Sequence, residues 1–148
     1  MNFEGKVAVI TGSSAGIGAE AAKKITSLGG RVTINYSKSK EAAEEVAHEC
    51  SRIGETPLIV KADIASDEGC KHLIDTSFNE FKAINILINN AGRTKFADHS
   101  NLDALQRDDF ENILALNLNS NYELIKHARP HLAKNKKSSI VNISSVAG

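Results

Sequence analysis

Residues 6–30 read KVAVITGSSAGIGAEAAKKITSLGG. Lys6 to Thr11 is a short apolar run, as a parallel strand covered on both faces shows, and it stops at Gly12. From Ile17 the spacing becomes helical: Ile17, Ala21, Ile25 and Leu28 fall on one face, and Gly29-Gly30 ends the segment. Between the two lie Gly12, Gly16 and Gly18, in the pattern GxxxGxG rather than GxGxxG. At a strand–helix junction each has a physical use. Gly12 permits a tight turn, Gly16 lets a diphosphate approach backbone N–H groups, and Gly18 lets the helix lie close on the strand. Ser14, Ala15 and Ile17 complete this candidate phosphate-facing turn, and the amino terminus of the helix adds its dipole. A glycine-rich turn can also be only a turn, so the rest of the chain must decide.

Outward from this unit, strand and helix keep alternating. RVTINY (31–36) is strand-like; Ser39 is placed to cap a helix with Glu41 in its first turn and Ala43, Val46, Cys50 and Ile53 as its buried stripe. TPLIVKAD (56–63) supplies a third strand, with Pro57 near its start. Ser66, Asp67 and Glu68 open a third helix with Cys70, Leu73, Ser77 or Phe78, and Phe81 inward. INILINNAG (84–92) is a fourth, continuously apolar strand. One long helix is expected from about Asp108 to Leu132, and SSIVNISS (138–145) is a fifth strand. Such alternation implies an α/β fold with a doubly wound parallel sheet and right-handed crossovers. The loop from Arg93 to Arg107 follows the carboxyl end of a strand, where such sheets bind ligands.

Composition removes several classes of function. Lys plus Arg and Asp plus Glu are 18 each over 148 residues, so no field of one sign draws nucleic acid or anionic lipid. No apolar stretch approaches the roughly 20 residues of a membrane span, and the start MNFEGKVAVITG has no signal-peptide pattern; a cytoplasmic location is expected. Cys50 and Cys70 are too few for a disulfide framework and lack metal-ligand spacing. Glu123, His127 and His131 share an i, i+4, i+8 stripe, but without a fourth ligand they read as a solvated helix face, and no metal is expected.

TGSSAGIG after the first strand, NNAG ending the fourth, the asparagine of LALNL and IVNISS on the fifth together resemble the short-chain dehydrogenase/reductase family, from Lys6 to Gly148. The resemblance implies a Rossmann-like sheet of strand order 3-2-1-4-5 and interconversion of a small-molecule alcohol and carbonyl with NAD(P)(H). It implies that Asp63, followed by Ile64, hydrogen-bonds the adenine, a reading favoured over that of a turn-forming Asp before a helix. Asn90, Ala91 and Gly92 match the backbone beside the coenzyme ribose, or simply end a strand. Asn117, on a face with Ile113, Leu114 and Leu124, matches the asparagine of a proton relay. Buried there it must find partners or cost about 1–3 kcal/mol, which a structural role would also satisfy. Ser145 matches the catalytic serine that binds the substrate oxygen, with Ser144 structural.

The coenzyme choice is read after the second strand. A carboxylate there would hydrogen-bond the ribose hydroxyl and repel a 2′-phosphate. Tyr36, Ser37 and Lys38 stand there, with Lys40 beyond, so NADP(H) is expected over NAD(H), although Lys38 could merely begin a solvated helix and Ala15 occupies the usual basic position in the glycine turn. An unperturbed tyrosine has a pKa of about 10, and the family pairs one with lysine, as Tyr-x-x-x-Lys, after the serine. Tyr36/Lys40 and Tyr122/Lys126 share that spacing but precede the serine. Tyr122 also lies about 140° round a regular helix from Asn117. Residues 1–148 are therefore expected to form an incomplete single domain, the coenzyme-binding half of the enzyme. Ile140, Val141 and Ile143 would then be under-covered, each losing part of a burial worth about 1.5–3 kcal/mol. A non-catalytic nucleotide-binding module is the alternative, and a homo-oligomer, dimer or tetramer, is implied at full length.

Overall fold

The computed structural model describes residues 2–145; the closing VAG lies outside the described residues. Five strands, β1 (Val7–Ile10), β2 (Arg31–Tyr36), β3 (Leu58–Lys61), β4 (Ile86–Asn89) and β5 (Ser139–Asn142), form one parallel sheet of order β3-β2-β1-β4-β5. Helices α1 (Gly16–Ser27), α2 (Lys40–Ser51) and α3 (Asp67–Phe81) connect the first four strands. The last crossover carries α4 (Arg107–Leu114) and α5 (Ser120–Leu132). This is the α/β Rossmann-like order that the resemblance implies.

Period-two alternation on β1 shows how the sheet is covered. Ala8 and Ile10 face a core with Ile34 and with Ala22, Ile25, Val46 and Cys50 of α1 and α2. Val9 faces the opposite core, with Leu87 and with Leu73, Ile74, Leu124 and Ala128 of α3 and α5. All four residues of β1 are inaccessible to solvent, and Ile10 is in register with Ile34 and Ile88. That places the end of β1 at the centre of the sheet, between β2 and β4. The strand order reverses here, and this is where an open α/β sheet opens a crevice.

Several details depart from the sequence reading. In α1 the buried face is Gly18, Ala19, Ala22, Ile25 and Thr26, while Ile17 is exposed and Leu28 only partly buried. Close approach of the helix to β1 and β2, and of Gly18 to Asn90 beyond β4, selects its small residues for the inner face, against the bulkier apolar positions. Ile53 is exposed because α2 has already ended at Ser51, and Ser39 sits at the amino-terminal cap without a side-chain hydrogen bond. The third helix buries Ile74 as well as Leu73 and Ser77; Phe78 and Phe81 are partly covered.

The expected long helix is interrupted by a π-helical turn, Ala115–Asn119. The wider turn rotates the face, so that Leu114 and Asn117 are exposed and only Leu116 is buried within it. Asn117 is not a buried amide, and the 3.6-residue step to Tyr122 does not hold across the turn. Tyr122 remains exposed and lines neither cavity described below. At the sheet edge, Ile140, Val141 and Ile143 of the β5 segment are exposed.

Candidate nucleotide-binding site

The glycine turn is held by the polar side chains of Asn35 on β2 and of Ser13 in the turn itself. Gly12 has φ +60°, and its N–H donates to Asn35 Oδ1 at 3.1 Å. Ser13 Oγ donates to the Ile10 carbonyl at 2.8 Å and accepts the Asn35 N–H at 3.0 Å. Asn35 Nδ2 reaches the Ala62 carbonyl at 3.1 Å, so one buried amide joins the turn to the ends of β2 and β3. Sequence reasoning missed Asn35, although an amide inside the apolar run RVTINY was a visible signal.

Two of the three glycines answer to close packing. A Cβ on Gly12 would lie 2.9 Å from Ala91 Cα, and one on Gly18 would lie 2.5 Å from Asn90 Nδ2. Gly16 is different: its φ is +58° and an added Cβ would meet nothing within 4 Å. This part of the turn faces open space at the amino terminus of α1, which no side chain caps and whose first turn carries no acid. Uncapped N–H groups at the positive end of a helix dipole suit an anion.

The end of β4 is fixed to the same turn. Thr11 Oγ1 accepts the N–H groups of both Asn90 and Ala91 at 3.0 Å, and Asn90 Nδ2 donates to the Thr11 and Gly12 carbonyls at 2.9 and 3.2 Å. Beyond Gly92, Asn117 brackets the backbone of Arg93. Its Oδ1 accepts the Arg93 N–H and its Nδ2 donates to the Arg93 carbonyl, both at 2.9 Å. The π turn thus offers Asn117 to the segment after β4, in place of the buried face expected for it.

These segments enclose a crevice of about 370 Å3. Of the residues expected from sequence, Gly12, Ser14, Tyr36, Ser37, Lys38, Asp63, Ile64, Asn90, Ala91 and Gly92 all line it. Ala15, Gly16, Ile17 and Gly18 belong to the turn beside it without lining it, and Asn117 reaches it only through Arg93. Ser145 is exposed beyond the carboxyl end of β5 and is not brought into this crevice. Arg93 and Leu116 line it although sequence reasoning did not select them. Asp63 Oδ1 accepts the Ala65 N–H at 3.1 Å in a turn, as the turn reading expects, and the residue also lines the crevice. Gly69 keeps that turn in place, because a Cβ there would lie 1.9 Å from the Asp63 carbonyl oxygen.

The loop after β4 bounds a second, more open cavity of about 730 Å3, lined by Phe96, Leu102 and Phe110 among others. Of the histidine stripe, Glu123 and His127 come together not with His131 but with Asp67, their ligand atoms within 4.8 Å of one another. His131 instead stacks on Phe78 at 3.9 Å. Lys126 Nζ lies 2.6 Å from Glu123 and 3.3 Å from Asp67, so the group is a cation-bridged cluster joining α3 to α5. Hydrogen bonding to Glu123 and then to His127 holds the Asp67 carboxyl down to about 2. Burial pushes the Cys70 thiol up to about 12, where it stays neutral and packs as an apolar group.

Known proteins share this arrangement. Residues 6–148 match the short chain dehydrogenase family. A 3-oxoacyl-[acyl-carrier-protein] reductase of Synechocystis sp. is 34% identical over 143 residues, 97% of this chain and 57% of the relative. A 7alpha-hydroxysteroid dehydrogenase of Bacteroides fragilis is 34% identical over 147 residues, 99% of this chain and 56% of the relative. Among solved structures, a short chain dehydrogenase from Burkholderia cenocepacia in complex with NADP superposes with a TM-score of 0.91 at 32% identity. That match covers 99% of this chain and 58% of the other. The chain therefore spans a little over half the length of the relatives it matches. Since the family match runs through the glycine turn, the crevice and the fifth strand alike, the chain belongs to the short chain dehydrogenase family.

Proposed function

We propose that the protein is an NAD(P)(H)-dependent oxidoreductase that interconverts a small-molecule alcohol and carbonyl, and that residues 1–148 are its coenzyme-binding domain. The observation that carries this reading is the turn at Gly16, open and uncapped beside a crevice that runs from Asp63 to Gly92. A diphosphate fits there. The surrounding groups also suit a dinucleotide: hydroxyl and ammonium donors after β2, a carboxylate after β3, and small residues after β4. Coenzyme binding by the relative solved with NADP agrees with this reading.

Each group then has a part. N–H groups of the turn and of the first turn of α1 hold the diphosphate. Asp63 accepts from the adenine amino group, and Ser37 and Lys38 donate to a 2′-phosphate. The backbone of Asn90, Ala91 and Gly92 lies beside the nicotinamide ribose. Asn117 braces that backbone through Arg93 and helps carry the proton relay. Ser145 donates its hydroxyl hydrogen to the substrate oxygen. The nicotinamide, when bound, supplies or accepts the hydride. Tyr36 lines the crevice beside Ser37 and Lys38, at the proposed adenosine end, and Tyr122 is exposed on α5 and lines neither cavity, so neither is given the acid–base part. The 148 residues are accordingly proposed to bind coenzyme without turning over a carbonyl.

With a 2′-phosphate recognised by Lys38, NADPH is preferred. Fluorescence titration should give a Kd for NADPH roughly tenfold below that for NADH, one charge-assisted contact being worth about 1.4 kcal/mol. Lys38→Glu should reverse the order. Tighter binding of NADH by the unaltered protein would refute the preference.

The protein is also proposed to work in the cytosol as a homo-oligomer. No helix among the described residues is long and apolar enough to cross a membrane. Phe110, Leu114, Leu118 and Tyr122 recur every fourth residue along α4, the π turn and α5, and are 55, 51, 61 and 67% exposed. A stripe of this kind suits burial against a second copy of the chain.

A further inference from the structure

We infer that Arg93 is a coenzyme-binding residue, its guanidinium lying over the face of the adenine. The inference rests on the coenzyme reading above and adds to it a base-recognising residue absent from the sequence-derived site.

Four observations converge. Arg93 lines the crevice together with Asp63, Ile64 and Leu116. Its backbone is fixed on both sides, the N–H and the carbonyl each bonded to the Asn117 amide at 2.9 Å, so the side chain starts from a defined point. Among the described residues no carboxylate forms an ion pair with it, whereas Lys95, two residues on, is paired with Asp109 at 2.6 Å. Finally, the sheet order sets Arg93, after β4, and Lys38, after β2, on opposite sides of β1 and its glycine turn. Among the described residues, Lys38 and Arg93 are the cations of the crevice lining, and Asp63 is its carboxylate.

The chemistry of the two cations divides their work. An ammonium is a compact, strongly hydrated charge suited to a phosphate. A guanidinium is planar and weakly hydrated, and it stacks on aromatic faces. Ile64 and Leu116 add apolar wall to the same crevice, and Asp63 is available there to the edge of a base. A flat purine satisfies all of these: its edge meets the carboxylate, its faces meet aliphatic carbon and the guanidinium. Lys38 then discriminates between coenzymes, while Arg93 strengthens both equally.

The test is a titration of the protein and its R93A and R93K variants with NADPH, NADH and reduced nicotinamide mononucleotide. R93A should raise the Kd of both dinucleotides by the same factor, about five- to thirtyfold, and leave the mononucleotide within twofold. R93K, which keeps the charge and loses the plane, should recover only a minor part of that loss. Melting temperatures without ligand should match the parent, because the clamp uses only the Arg93 backbone. If R93A binds both dinucleotides as the parent does, or R93K restores full affinity, the assignment is overturned while the coenzyme reading stands. If the parent binds neither dinucleotide, both fall together.

Discussion

Thr11 shows how much one hydroxyl can hold. It is almost wholly buried, and its Oγ1 is the acceptor for two successive N–H groups, those of Asn90 and Ala91, which carry the chain past the crevice. Thr11→Val keeps the shape and removes the acceptor. Two backbone donors are then left without it, at a cost of about 1–3 kcal/mol. The expected result is a lower urea midpoint with an unchanged slope, together with weaker coenzyme binding as the segment after β4 loosens. Unaltered stability and affinity would show that the bonds are incidental. Asn35 works in the same way on the other side of β1, where its amide spans Gly12 and Ala62.

The continuous element from α4 through the π turn to α5 presents different groups on two sides. The π turn offers Asn117 to Arg93, and the apolar stripe from Phe110 to Tyr122 remains uncovered on the outside. If that stripe is where a second copy packs, Leu118→Glu should place a carboxylate in the contact. Light scattering after size exclusion should then give a monomer where the parent gives a dimer or larger. The same mass for both, or a monomeric parent, would remove the stripe from that role. Sequence spacing gave little notice of the turn, because residues at 110, 114, 118 and 122 look alike in a regular helix and in one with an inserted residue. It misjudged α1 for a related reason. Periodicity weights large apolar side chains, but α1 lies so close to β1, β2 and Asn90 that Gly18, Ala19 and Ala22 are what fits.

At the scale of the whole molecule, the sheet was legible because strands buried on both faces read as unbroken apolar runs, and β1 is buried at every residue. Much of the crevice was legible too, since the glycine turn, Tyr36 to Lys38, Asp63 and NNAG lie at the carboxyl ends of β1, β2, β3 and β4, which the alternation of elements brings together. Arg93 was not, because its place follows from an asparagine 24 residues further on. Ser145 is not among the residues that line the crevice. The central claim is that the open turn at Gly16 and the crevice beside it hold a dinucleotide. The most direct measurement is the melting temperature with and without NADPH. At a coenzyme concentration about 100 times its Kd, binding to the folded state adds about 2.7 kcal/mol, a rise of roughly 5–10 °C for a chain of this size. A melting temperature that neither NADPH nor NADH moves, up to millimolar concentration in a folded sample, would contradict the account.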